Sequence, residues 1–409
     1  MTPRVPGDLV ELDITGVAHG GVLVARDEGR VVFTADAIPG ERVLARITES
    51  KKSFLRADAV RVLEPSPDRR AHVWAEAGID RAPEDRAGGA EFGHIALARQ
   101  RGLKAEVLTD AMRRQGGLAV SVPVEAVGDD VDRDGLGWRT RVTLHVDGDG
   151  VVGPYARGSH RVIPVASLPL AVPELDVPDS LRPRPGRDAG VRLVATSGSG
   201  VRVVENRDEG AETVVETVAG RSFQVAAGGF WQVHREAAAT LSAATAAAVD
   251  ADLFDPDAAN LDLYGGVGLL AAAVLDRFGA ARITTVEGDA AASAHAERNL
   301  AEWPRAAAAR ARVDVHLARL RRDGSRAERE RMAAATVVLD PPRSGAGREV
   351  VDALAALGPA QLVYVACDPV ALARDAGLLA ASGYVLGDLR AFDLFPHTHH
   401  LEAVARFTR

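Results

Sequence analysis

Residues 259–287 read ANLDLYGGVGLLAAAVLDRFGAARITTVE, and their pattern decides the class of the fold. A short apolar run over 259–263 breaks at a glycine turn, Gly265, Gly266 and Gly268, and an apolar helical stretch follows over 268–278. A second apolar run, 282–287, ends in Glu287. Strand, glycine turn, helix and strand form the unit of a parallel sheet, and glycine at the first turn lets a ligand approach the backbone. Asp262 stands where the first strand is expected to end. Glu287 ends the next one, where a carboxylate can accept hydrogen bonds from ribose hydroxyls. The full G-x-G-x-x-G spacing is missing, since Gly268 is followed by Leu269, Leu270 and Ala271. That disfavours a pyrophosphate-bearing dinucleotide and favours a nucleoside such as S-adenosylmethionine, although a plain structural turn would look the same.

Outward from this unit, apolar runs at 336–340, 362–366 and 384–392 alternate with helical stretches, extending a doubly wound α/β, Rossmann-like sheet over 229–409. Upstream the period changes. Runs at 9–14, 20–25, 30–34, 42–49 and 55–63, separated by glycine turns, predict a small oligonucleotide-binding-like β-barrel that ends before Pro65 and Pro67. Residues 93–118 have helical spacing and stop at Gly116-Gly117. Strand-like runs at 138–146, 151–155, 161–165, 190–195, 200–205, 213–218 and 221–225 make the middle mainly β, with a proline-rich connection over 169–185. The expected organisation is multidomain: a barrel over 1–65, a β-rich domain over 66–92 and 119–228, and an α/β domain over 93–118 and 229–409.

Composition excludes several chemistries. With 409 residues, 47% hydrophobic and 26% charged, the chain is long enough for several cores and close to the globular average. Its single cysteine, Cys367, rules out an internal disulfide and a cysteine-held cluster in one chain. The N-terminal MTPRVPGDLVELDITG has no basic region followed by an apolar run, and no apolar stretch approaches a membrane span, so a cytoplasmic protein with no membrane partner is expected. The net charge of −8 offers no global attraction to nucleic acid. Lysine occurs only at Lys51, Lys52 and Lys104, and the first two sit within residues 42–61, whose local net charge is +4. Such a surface suits an oligonucleotide-binding barrel as well as a solvated charged face.

Three further motifs carry chemistry. In VVLDPPRSGAG, 337–347, a strand ends at Asp340 and two prolines fix the next turn, as in enzymes that methylate amino groups of bases. In LVYVACDPVALARD, 362–375, Cys367 ends a strand and precedes a helix, whose N-terminus is expected to favour thiolate. In FPHTHHLEAVARF, 395–407, three histidines beside Glu402 suggest either a metal site or donors in a rigid loop. Glu402 is the only carboxylate there and a candidate general base.

Together these motifs resemble the bacterial RNA (uracil-5-)-methyltransferases that carry an N-terminal TRAM domain. The likeness rests on FWQV at 230–233, LDLYGGVGL, LDPPRSGAG, VYVACDP and FPHTHHLE in that order, with a TRAM-like pattern through Gly20-Gly21, 38–41, Lys51-Lys52 and 65–67. It implies S-adenosylmethionine bound by Gln232, Asp262, Tyr264, Gly266, Glu287 and Asp340, with RNA, tRNA or rRNA, met by Lys51, Lys52 and Arg343. It further implies attack of Cys367 on uracil C6 and proton removal from C5 by Glu402; a monomer is expected. Relatives often hold a four-iron cluster on four cysteines. The corresponding positions here are Trp74, Ala87, Ala90 and Leu168, so neither an iron–sulfur cluster nor any other metal is expected. Gly265 also departs from the cysteine common in relatives. Two rivals are an amino-group nucleic-acid methyltransferase, which has no use for Cys367 and Glu402 together, and a non-catalytic RNA-binding protein, which has no use for the crevice residues.

Overall fold

The computed structural model describes residues 4–176, 178–183, 190–205 and 212–409, so the end of the expected 169–185 connection lies outside the described residues. The chain divides into two compact units, Met1–Val107 with Gly128–Leu193 and Phe395–His400, and Leu108–Val127 with Val194–Leu394 and Leu401–Arg409. This division is coarser than the three expected domains and places 194–228 with the α/β portion.

In the first unit, β1 (Leu9–Asp13), β2 (Gly16–Val17), β3 (Leu23–Asp27), β4 (Arg30–Ala35), β5 (Arg42–Ser50) and β6 (Phe54–Glu64) form one sheet in the order β1-β5-β6-β4-β3-β2. Apolar residues alternate along it, so Val10, Leu12, Leu23, Val32, Val43, Ile47 and Leu55 fill the interior while polar neighbours face outward. Strand β3 begins at Leu23 rather than residue 20 because Gly20 and Gly21 adopt φ of 81° and 72°, which ends any extended run.

A buried charge network lies in this unit. Arg86 Nη1 meets Asp36 at 2.5 Å, and its guanidinium also donates to the carbonyls of Ala59, Ile79 and Arg81, each at 3.0 Å. Arg157 adds bonds to Asp36 at 3.2 Å and Asp58 at 2.6 Å. Burial alone would raise the Asp36 carboxyl, but Arg157 and Arg86 hold it below its ordinary range. Removing Arg86 leaves Asp36 with Arg157 alone and takes one donor from each of three carbonyls, so Arg86→Ala is expected to cost about 3 kcal/mol in urea unfolding. A loss under about 0.5 kcal/mol, the level of an exposed ion pair, would show that the network contributes little.

Helix α1 (Leu97–Arg114) is shorter than the 93–118 expected, and β7 (Val124–Glu125), β8 (Arg141–Val146) and β9 (Val152–Gly153) follow. The run 161–165 is not a strand. It makes one bridge, Val162 to Tyr155, and Pro164 has no N–H for a ladder. Beyond β10 (Val191–Thr196) and β11 (Gly200–Glu205), β12 (Thr213–Val218) and β13 (Arg221–Ala226) pair as a hairpin.

The second unit then runs α2 (Ala237–Ala248), β14 (Asn260–Leu263), α3 (Leu269–Phe278), β15 (Ile283–Glu287), α4 (Ala290–Asn299), β16 (Ala306–Arg310), α5 (Val313–Asp323) and α6 (Arg326–Ala333). It continues through β17 (Thr336–Leu339), α7 (Gly347–Leu357), β18 (Gln361–Ala366), α8 (Pro369–Ala381), β19 (Val385–Phe392) and β20 (Glu402–Thr408). Asn299 of α4 bonds the backbone of Gln224 in both directions, at 2.8 and 3.1 Å, which ties the β12–β13 hairpin to this unit. The sheet order is β16-β15-β14-β17-β18-β20-β19-β7, parallel from β16 to β18 and antiparallel at β20 and β19. Strand order reverses between β14 and β17, and a ligand crevice belongs at the carboxyl ends of strands beside such a reversal.

Candidate active site

Most of the residues singled out in the sequence fall on that carboxyl edge. Tyr264, Gly265 and Gly266 follow β14, Glu287 ends β15, Asp340 follows β17 and Cys367 follows β18. Strand β20 runs the other way, so its first residue, Glu402, reaches the same edge. The register sets Ala366 opposite Ala403, so Cys367 and Glu402 each stand one residue beyond that last pair, near enough for the glutamate charge to act on the thiol. Gln232 lies half-buried before α2, while Lys51 and Lys52 occupy the exposed β5–β6 turn of the other unit.

The glycine turn is built around Asp262, which is not a strand end as expected. Strand β14 runs on to Leu263, and Asp262 is fully buried beneath the turn. Its Oδ2 accepts from the Thr285 hydroxyl at 3.3 Å, and the Ala271 backbone N–H also favours the charged carboxylate, while Oδ1 makes no close hydrogen bond among the described residues. A Cβ on Gly265 would stand 2.4 Å from Asp262 Oδ2 and 2.4 Å from Thr285 Cγ2, so glycine here makes room for the carboxyl group. Tyr264 and Gly266 take φ of 60° and 54°. Gly266 N–H donates to Glu287 Oε2 at 3.0 Å and Asp289 N–H to Oε1 at 2.7 Å, fixing the acid at the tip of β15. Sequence reasoning missed Thr285; its place two residues before Glu287, on the same face of β15, was the available signal.

Burial decides the protonation of this edge. It raises Asp262 and Asp340 to about 7. Glu402, fully enclosed and beside Asp340, is pushed well above the usual carboxylate range, with Arg343 opposing. The Cys367 thiol is raised to about 12 by burial first and then by the negative charges of Glu402 and Asp340, again against Arg343. The expected thiolate-stabilising helix end is therefore corrected. Asp368 caps α8, accepting from Val370 N–H at 3.0 Å and Ala371 N–H at 2.8 Å, and its charge also opposes the thiolate. An aspartate before proline is an N-cap followed by a first-turn proline, so this cap was legible.

Of the two roles expected for the histidines, His397 takes that of a hydrogen-bonding group in a rigid loop. His397, buried at φ 65°, receives Gln100 Nε2 at Nδ1, 3.0 Å, and sits 2.8 Å by Nε2 from the Asp134 carbonyl, which occupies both ring nitrogens. His399 lies 3.8 Å from Glu91, whose carboxyl is lowered to about 2 by that histidine against the effect of burial. Among the described residues no group of three or more His, Cys, Asp or Glu is arranged to hold a metal ion. Trp74, Ala87, Ala90 and Leu168 are all buried and offer no thiolate, so the residues present do not fit an iron–sulfur cluster. Lys51 is paired with Glu49 at 2.7 Å and Arg56 with the same acid at 3.3 Å, which partly neutralises the basic surface. Among the described residues no helix is long and apolar enough to cross a membrane.

Two family models match, the TRAM domain over residues 3–60 and tRNA (Uracil-5-)-methyltransferase over residues 254–409. An uncharacterized RNA methyltransferase of Streptomyces avermitilis is 38% identical across 98% of each chain. A 23S rRNA (uracil(1939)-C(5))-methyltransferase, RlmD, of Alkalilimnicola ehrlichii is 30% identical across 99% of this chain and 98% of its own. The crystal structure of Pyrococcus abyssi tRNA (uracil-54, C5)-methyltransferase with S-adenosyl-L-homocysteine superposes with a TM-score of 0.69 at 20% identity, covering 98% of this chain and 100% of that one. The glycine turn, the acids at the carboxyl edge and the neighbouring cysteine and glutamate thus stand in a chain that belongs to the S-adenosylmethionine-dependent RNA (uracil-C5) methyltransferase family bearing a TRAM domain.

Proposed function

We propose that the chain methylates C5 of a uridine in tRNA or rRNA through a covalent bond between Cys367 and C6, acting as a monomer in the cytoplasm. The observation that carries this is that Cys367 and Glu402 flank the last β18–β20 pair, Ala366 and Ala403, with Glu402 and Asp340 both acting on the thiol at the crevice where a nucleoside belongs. The buried Asp262 Oδ1 with no close hydrogen bond, the fixed Glu287 carboxylate and the open space at Gly266 suit S-adenosylmethionine, with Gln232, Tyr264 and Asp340 completing its site. That co-substrate supplies an electrophilic methyl group on a sulfonium. Once its proton has passed to solvent, the Cys367 thiolate attacks C6 and converts the C5–C6 double bond into a carbon nucleophile at C5, which takes the methyl group as the sulfonium–methyl bond breaks and S-adenosylhomocysteine is left. Glu402 then accepts the C5 proton, and the sulfur–C6 bond breaks as the ring double bond returns. The uridine must be unpaired or flipped to reach the thiol. Lys51 and Lys52 would meet the phosphate backbone, and Arg343 would contribute positive charge beside the base. We assign 1–65 to RNA binding, 66–92 with 119–228 to the central β-rich support, and 93–118 with 229–409 to catalysis.

Incubating the purified protein with RNA from cells lacking 5-methyluridine, followed by nucleoside mass spectrometry, tests the reading. 5-Methyluridine is the expected product, and a methyl group on a base nitrogen would instead favour the amino-group reading. Entry of a cation into a crevice of half-protonated carboxyls favours their ionised forms. Affinity for S-adenosylmethionine should therefore rise as pH increases through about 7, with protons released on binding. Calorimetry in buffers of different ionisation enthalpy reads this directly. Constant affinity from about pH 5.5 to 8.5 without proton release would exclude those carboxyls from the site.

A further inference from the structure

Arg343 rides on the loop between β17 and α7, and the path of that loop is fixed at both ends. Pro341 and Pro342 restrict its entry. Gly345 N–H then donates to the Pro342 carbonyl at 2.7 Å, closing a turn with Arg343 and Ser344 at its tip. The exit is held from α8. Fully buried Asp375 accepts at Oδ2 from the Tyr364 hydroxyl at 2.7 Å, Ala346 N–H at 2.8 Å and Gly347 N–H at 3.2 Å. Its Oδ1 accepts from Arg374 Nε at 2.9 Å and Nη2 at 2.7 Å, and Arg374 Nη2 also reaches the Ser344 carbonyl at 2.8 Å. Gly345, at φ 77°, presses on the same pair: a Cβ would stand 2.5 Å from Arg374 Nη2 and 2.6 Å from Asp375 Oδ2. A buried carboxylate with both oxygens engaged is costly to rearrange, and here it grips the backbone of the loop.

We propose that Asp375, acting with Tyr364 and Arg374, is a positioning residue that sets where the Arg343 guanidinium stands relative to Cys367 and Glu402. Its consequence for turnover rests on reading Cys367 as the attacking thiol; its consequence for the thiol itself does not. The groups acting on Cys367 are Glu402 from β20, Asp340 after β17, Arg343 on the loop and Asp368 at the start of α8, and of these Arg343 alone favours the thiolate. Loosening the clamp withdraws that support.

Because Cys367 is the only cysteine, alkylation by iodoacetamide followed by intact mass reports its ionisation without any substrate. Rates from about pH 7 to 10 should fall roughly tenfold in Arg343→Ala and at least about threefold in Asp375→Asn, with the profile moved to higher pH. The double variant should be no slower than Arg343→Ala alone, since both changes remove one interaction. Tyr364→Phe and Arg374→Ala should give smaller shifts in the same direction and decide the matter should the Asn variant not fold. Wild-type rates in Asp375→Asn or in Arg343→Ala, or effects that multiply in the double variant, would overturn the proposal. Absence of methyl transfer by the unaltered protein would count against the proposed reaction and leave the alkylation result standing.

Discussion

Replacing Cys367 with alanine is expected to abolish methyl transfer, by roughly 10⁴-fold or more, while S-adenosylmethionine binds within about twofold of its original affinity. The sulfur makes the bond that turns C5 into a nucleophile, and no other thiol exists in the chain to substitute for it. Its neighbours on the sheet are the small, buried Ala366 and Ala403, so the substitution removes one atom without disturbing the pairing. Measured turnover near the original rate would remove the covalent step from the mechanism. A large loss of co-substrate affinity would place Cys367 in the nucleoside site instead.

Glu402→Gln has a different signature. The amide keeps the shape of the side chain but cannot accept the C5 proton, so attack and methylation proceed while elimination stalls. A covalent RNA–protein species should accumulate and survive denaturing gels, with product formation slowed by about 10²–10⁴-fold. Normal product formation without a trapped species would assign the base elsewhere. Enclosure and Asp340 raise the affinity of Glu402 for protons, against Arg343, so this carboxyl must be ionised before it can take the proton from C5.

Three strand ends were legible because each carries an acid that a buried strand would otherwise exclude, Glu287, Asp340 and Glu402, whereas Cys367 was marked by the Asp368-Pro369 helix start that follows it and Asp262 misled, being an acid inside its strand. The barrel strands were legible through their alternation. Strand β16 escaped notice because Ala306–Arg310, AAAAR, has no alternation and little β preference, and is a strand only because β15 pairs with it. The protonation of the site was not legible. Proximity of Cys367 to a helix start pointed toward thiolate, whereas enclosure by Glu402, Asp340 and Asp368 points the other way, and enclosure depends on which strands become neighbours. The Asp375 clamp escaped for the same reason, since its partners come from three separate stretches of chain.

The six residues Phe395–His400 belong to the first unit although they are encoded after nearly all of the second. Phe395 sets its ring edge-on to Trp138 at 6.1 Å, and the His397 backbone N–H donates to buried Gln100 at 2.7 Å. A ribosome adding about 5–20 residues per second will have released the barrel long before these partners emerge. The early portion of the chain must then wait with Gln100 and Trp138 uncovered. A nascent fragment stalled before residue 395 should accordingly be protease-sensitive around α1, and become protected once 395–400 clear the exit tunnel.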